Sequence, residues 1–169
     1  PLKEVDVKSL NISPFTAIGD DWMLVTAGDQ DSHNTMTASW GGLGVLWGAP
    51  VATCYIRQSR YTKEFVDASQ TFTLSFLDPA RYRRELGYLG RVSGRDEDKI
   101  AACGLTPVAV DGTTTFAEAG LTLVCRKAYA TYLGPEGFVP GVVDQERWYA
   151  GGDYHTMYVA YIEHAYVAQ

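Results

Sequence analysis

Five β-prone runs, with only a few short helices between them, constrain the fold of this chain more than any other feature. Trp22 to Gly28 leads into a turn at Gly28-Asp-Gln-Asp, and Val51 to Arg57 starts just after Pro50. Thr71-Phe-Thr-Leu-Ser-Phe alternates at period two, as a half-buried strand requires. Leu121 to Tyr132 and Met157 to Val167 are longer runs of the same kind. A content of 17 Gly, 11 Tyr, 6 Phe and 4 Trp favours strands and tight turns in the same way.

Three short helices are predicted. One begins near Tyr61 and carries Thr62 to Ala68. The second has Asp78 as N-cap, Pro79 at its first position and Gly90 just past its end, with Tyr82, Leu86 and Leu89 on one face. The third runs from Asp96 to Cys103 before Gly104, its acidic run Asp96-Glu-Asp placed to favour the helix dipole. The pattern predicts one domain over residues 1–169: mainly β, an antiparallel barrel with helical insertions. The βαβα alternation and the GxGxxG turn of a dedicated dinucleotide half-domain are absent.

The net charge of −6 argues against nucleic acid or a membrane surface as partner, since both need a basic footprint. No apolar run approaches the length of a membrane-spanning helix. The start, Pro1-Leu-Lys-Glu-Val-Asp, lacks the basic and apolar regions of a signal peptide. Cys54, Cys103 and Cys125 are odd in number and widely spaced. Neither a disulfide framework nor a zinc site is expected, and a reducing cytoplasm is the expected compartment. Cys54, in mid-strand, reads as an inert buried thiol.

Two segments stand out chemically. In Asn34-Thr-Met-Thr-Ala-Ser-Trp, polar Asn34, Thr35, Thr37 and Ser39 alternate with Met36 and Ala38. Such a strand can offer hydroxyl and backbone hydrogen bonds to a flat heteroaromatic ring, with Trp40 as apolar cover. It can equally be an ordinary Thr-rich strand leading into a glycine loop. In Arg57-Gln-Ser-Arg-Tyr-Thr-Lys, three basic residues gather where a strand hands over to a helix. With the Ser59 and Thr62 hydroxyls this makes a phosphate cradle, or else a Ser59 helix cap beside a solvated basic face.

Taken together, these segments resemble the flavin reductase-like proteins of the FMN-binding split-barrel class, and most of all their flavoredoxin-like members. Val92-Ser-Gly-Arg-Asp-Glu-Asp-Lys and Gly152-Asp-Tyr-His-Thr-Met-Tyr extend the resemblance from about Trp22 to Val167. It implies an antiparallel FMN-binding split β-barrel. It implies that Asn34, Met36, Thr37, Ala38, Ser39 and Trp40 line the isoalloxazine and ribityl groups, and that Arg57, Ser59, Arg60, Tyr61 and Thr62 hold the phosphate and its approach. Lys99, Ser93 and Gly94 would lie near the flavin, from the same or a partner subunit of a homodimer. His155 would contact a ring substrate such as nicotinamide; the alternative is a half-buried His bonded to backbone.

The activity so implied is an NAD(P)H-dependent flavin reductase, with hydride passing from NADH or NADPH to the flavin N5. A flavoredoxin-like electron carrier serving protein partners is the second possibility, and a non-redox ligand-binding barrel the third. No side chain is assigned a catalytic role. His33 carries no assignment, and His164 beside Glu163 reads as a surface pair.

Overall fold

The computed structural model describes all 169 residues. The chain opens with β1 (Leu2–Val5) and α1 (Pro14–Gly19), continues through β2 (Met23–Gly28), β3 (His33–Ala38), β4 (Gly41–Leu46) and β5 (Ala49–Arg57), and enters α2 (Tyr61–Ala68). There follow β6 (Thr71–Leu77), α3 (Pro79–Arg91), α4 (Lys99–Ala102), β7 (Pro107–Val110), β8 (Thr113–Phe116), β9 (Ala119–Tyr132), α5 (Gln145–Trp148) and β10 (His155–Ala168). No helix is long and apolar enough to cross a membrane.

Eight strands form one antiparallel sheet, seven of them in the order β3-β2-β6-β9-β10-β5-β4 and the eighth, β1, beside β10. The long β10 pairs β5 through His155 to Tyr161 and β1 through Ala165 to Ala168. The two ends of this order, β3 and β4, are consecutive in the chain and joined by Ser39 and Trp40 alone. The sheet is therefore curled into a barrel whose open seam these two residues cross. β7 and β8 form a separate hairpin.

Tight turns explain two hairpins that the sequence reading did not contain. Trp47 and Gly48 have φ of 52° and 72°, and Asp111 and Gly112 have 45° and 81°. Two successive left-handed residues match the twist of the flanking strands. The stretch after Trp40, read as a glycine loop, is thus strand β4 paired with β5. β5 itself begins at Ala49, so Pro50 lies inside it, beyond the part that β10 pairs.

The main core fills the barrel with Met23, Val25, Ile56, Phe72, Leu74, Leu123 and Tyr158 among others. A second cluster seals α3 against the outside of the sheet through Leu24, Leu86, Leu89, Ile100 and Phe116. The predicted face of α3 is confirmed at Leu86 and Leu89, with Tyr82 packed at its edge. Asp78 is its N-cap, accepting from the Ala80 N–H.

Two helix boundaries differ from expectation. Gly90 lies inside α3, which runs on to Arg91. A side chain there would meet the Thr37 Cβ at 3.1 Å, so this glycine serves close helix–strand approach and does not end the helix. α4 begins only at Lys99, capped by Asp98, whose carboxylate accepts from the Ala101 N–H. Asp96 and Glu97 lie in the preceding turn, outside the helix they were expected to start.

Cys54 and Cys125 are fully buried. Burial pushes the Cys54 thiol up to about 12. The strands that carry them lie on either side of β10.

Candidate functional site

At the seam, a cleft of about 230 Å³ is lined by Met36, Thr37, Ala38, Ser39, Trp40, Tyr55, Arg57, Arg60, Gly90 and His155. A neighbouring cleft of about 530 Å³ shares Ser39, Trp40, Tyr55 and His155 and adds Phe15, Leu133 and Tyr149. Typical small-molecule sites span roughly 300–1,000 Å³. Only with its neighbour does the seam cleft reach that range.

The first wall is β3 backed by α3. Alternation along β3 sends Asn34, Met36 and Ala38 to one face and Thr35 and Thr37 to the other. Asn34 therefore does not share the hydroxyl face on which it was expected. It is buried, and its Nδ2 donates to Thr62 Oγ1 at 2.8 Å. Thr35 Oγ1 meets Thr26 Oγ1 at 2.8 Å across the strand pair. Thr37 Oγ1 donates to the Leu86 carbonyl at 2.5 Å, tying β3 to α3. Ser39 Oγ has no partner within the chain. Trp40 stands at the seam, 39% exposed, its ring 5.2 Å from that of His155 and 5.1 Å from that of Trp148.

The second wall is the end of β5 and the turn into α2. Arg60 reaches back under β3. Its Nη1 donates to the Gly90 carbonyl at 2.8 Å, and its Nε lies 3.4 Å from Met36 Sδ. Burial, then the nearby Arg57, lowers the pKa of Arg60, with Asp153 opposing. The Arg57 fork donates to the carbonyls of Asp153 at 2.8 Å and Trp148 at 2.9 Å, and its guanidinium lies 5.0 Å from the centre of the Tyr149 ring. The backbone N–H groups of Tyr61 and Thr62, in the first turn of α2, find no acceptor within the chain.

His155 opens β10 and is buried. Its Nδ1 lies 2.7 Å from the Tyr149 hydroxyl. Burial, then Arg57, lowers its pKa to about 4 despite the opposing Asp153. The imidazole is therefore neutral near pH 7.

Several residues singled out from the sequence have side chains that do not line the seam cleft. The Ser59 N–H and hydroxyl both donate to the Asp153 carboxylate, and the N-cap of α2 is Arg60. Thr62 is buried and engaged with Asn34. Tyr61 packs edge-on against Phe65, with Arg95 over its ring. Lys63 pairs with Asp67 at 2.8 Å. Ser93 Oγ accepts from the Arg95 N–H, and Gly94 abuts the Asn34 amide.

Lys99 is buried, and its Nζ donates to the carbonyls of Leu89 and Val92, both at 2.9 Å. It thus caps the C-terminal end of α3 from within its own chain. Burial lowers its pKa to about 8. His164 pairs with Glu4 at 2.6 Å, while its expected partner Glu163 pairs with Arg126. No group of three His, Cys, Asp or Glu side chains could hold a metal ion.

No site role for Tyr55, Gly90, Trp148, Tyr149 or Asp153 is read from the sequence. Tyr55 stands two residues before Arg57 on one strand, so period two alone puts both on the same face. The loop residues carry no such signal.

A curled antiparallel sheet with an arginine-flanked cleft at its seam defines a class of split barrel. The flavin reductase like domain family matches residues 17–169, and the chain belongs to that family. Membership places it among the flavin-related oxidoreductases. Among solved structures, flavoredoxin of Desulfovibrio vulgaris (Miyazaki F) is 25% identical with a TM-score of 0.67, covering 88% of this chain and 69% of that one. An FMN-binding domain of a flavin reductases-like enzyme from Shewanella baltica is 18% identical with a TM-score of 0.69, covering 99% and 77%. Nitrilotriacetate monooxygenase component B from Bacillus cereus is 15% identical with a TM-score of 0.67, covering 98% and 81%. A search of the curated proteins gives no match.

Proposed function

We propose that this chain binds FMN in the seam cleft and acts as a reduced-nicotinamide-dependent flavin oxidoreductase. One observation carries the reading: the cleft gathers Met36 to Trp40 with Arg57, Arg60 and His155, residues far apart in sequence. The unpaired Tyr61 and Thr62 N–H groups and the two guanidinium groups suit a phosphate monoester. The free Ser39 hydroxyl and the Trp40 ring suit the edge and face of a flat polar heterocycle.

Bound FMN supplies hydride chemistry at its ring. The protein's own contribution is position and field. The β3 wall fixes the ring edge, and Arg60 places positive charge behind it. Neutral His155 offers one ring nitrogen toward the second cleft while Tyr149 holds the other. That neighbouring cleft, walled by Trp40, Phe15 and Tyr149, is where a nicotinamide ring would stack. The exposed apolar residues Val45, Leu46 and Trp47 on the β4–β5 hairpin support a homodimer.

Flavoredoxin-like electron transfer is the competing reading, favoured by the 25% identity to a flavoredoxin. The purified protein is expected to be yellow or to turn yellow on adding FMN. Its bound flavin should then bleach rapidly with NADH or NADPH and no protein partner. Bleaching only through a protein donor would favour the carrier. Failure to take up FMN would leave a non-redox barrel.

A further inference from the structure

The turn proposed to receive the flavin phosphate already holds an anion of the chain's own. Gly152, with φ of 73°, reverses the chain before β10 and sets Asp153 over the β5–α2 turn. The Asp153 carboxylate takes both donors of Ser59: its N–H at 3.1 Å and its hydroxyl. The Asp153 carbonyl takes Arg57 Nη1 at 2.8 Å. The field of the carboxylate also reaches Arg60, raising its affinity for a proton. One residue therefore occupies the hydroxyl of the turn, claims part of one guanidinium fork and offsets the charge of the second.

We infer that Asp153 sets the preference between phosphorylated and unphosphorylated flavin, by holding with its own carboxylate the donors that a flavin phosphate would use. The inference rests on the FMN reading. A phosphate dianion at this turn must either displace the carboxylate from Ser59 or sit beside it. Both oppose binding, because like charges at close range repel and the Ser59 hydroxyl has a single proton to donate. An alcohol in the same place, as in riboflavin, meets no such repulsion. Displacement would also disturb the loop that carries Trp148 and Tyr149, which Arg57 holds beside Asp153.

The test is calorimetric titration of the full chain with FMN and, separately, with riboflavin. Wild type is compared with Asp153→Asn, which keeps the shape and removes the charge. Should the amide fail to fold, Asp153→Ser is the second variant. The expected result is FMN affinity rising about tenfold, the scale of one charge-assisted hydrogen bond after solvent screening, with riboflavin changing less than about twofold. FMN weakening in the variant, or both ligands changing by the same factor, overturns the inference and makes Asp153 a loop anchor. A wild-type chain that takes up neither flavin overturns the FMN reading, and this inference with it. Uptake of both flavins with an unchanged ratio overturns only this inference.

Discussion

The two walls of the cleft are built on opposite plans. The β3 wall is made of regular structure whose polar groups are satisfied from behind: Asn34 by Thr62, Thr35 by Thr26, Thr37 by the Leu86 carbonyl. The second wall, the end of β5 and its turn, is backed instead by Trp148, Tyr149 and Asp153, which belong to an irregular loop with the one-turn helix α5. That loop is fastened mainly by Arg57 and Ser59. The first wall cannot shift without breaking the fold. The loop behind the second can open by releasing a few hydrogen bonds, which is where local opening is cheapest.

The largest test of this contrast is Leu86→Ala. Leu86 is fully buried under the first wall, and its truncation should lower global stability by about 2–5 kcal/mol. Urea unfolding measures this, and a loss under about 1 kcal/mol would show a wall that yields. Arg57→Ala comes next. It should leave global unfolding nearly unchanged while lowering the local opening free energy of the segment after Asp144 by about 1.5–3 kcal/mol. Hydrogen exchange across Gln145 to Tyr154 reads this directly; uniform loss of protection over the whole chain would erase the distinction between the walls.

The last test concerns His155, where the two walls meet. Its folded pKa of about 4 lies below its ordinary 6.5, so between these values the unfolded chain binds the extra proton more readily. Stability should fall as pH drops from 6.5 to about 4, with no further contribution below. Urea midpoints over this window should decline less in His155→Gln. Equal slopes in both proteins would mean that the imidazole is solvated.

How far the sequence could be read divides along the same line. The β3 wall was legible because strand alternation and the Trp40 cover are local patterns. α3 was legible at its start, because Asp78 and Pro79 act within one turn. Its end was misplaced because Gly90 answers to Thr37, more than fifty positions away in the chain. The hydroxyls of Ser59 and Thr62 were visible, but not their capture by Asp153 and Asn34, which depends on long-range pairing. The loop wall left no periodic trace at all. Lys99 shows the same limit: its spacing from α3 says nothing of the two carbonyls it caps.

The buried cysteines have a consequence for measurement. Cys54 and Cys125 are separated by β10, where they face Tyr158 and Ile162 respectively, so two strand spacings and four residues of rise put their backbones well over ~10 Å apart, too far to be bridged. Cys103 is half-buried, its thiol pushed up by burial and by Glu85. None presents a thiolate at neutral pH. Electrons added to this protein in a reductive titration therefore meet no thiol–disulfide couple, and the equivalents consumed count whatever redox group the cleft holds.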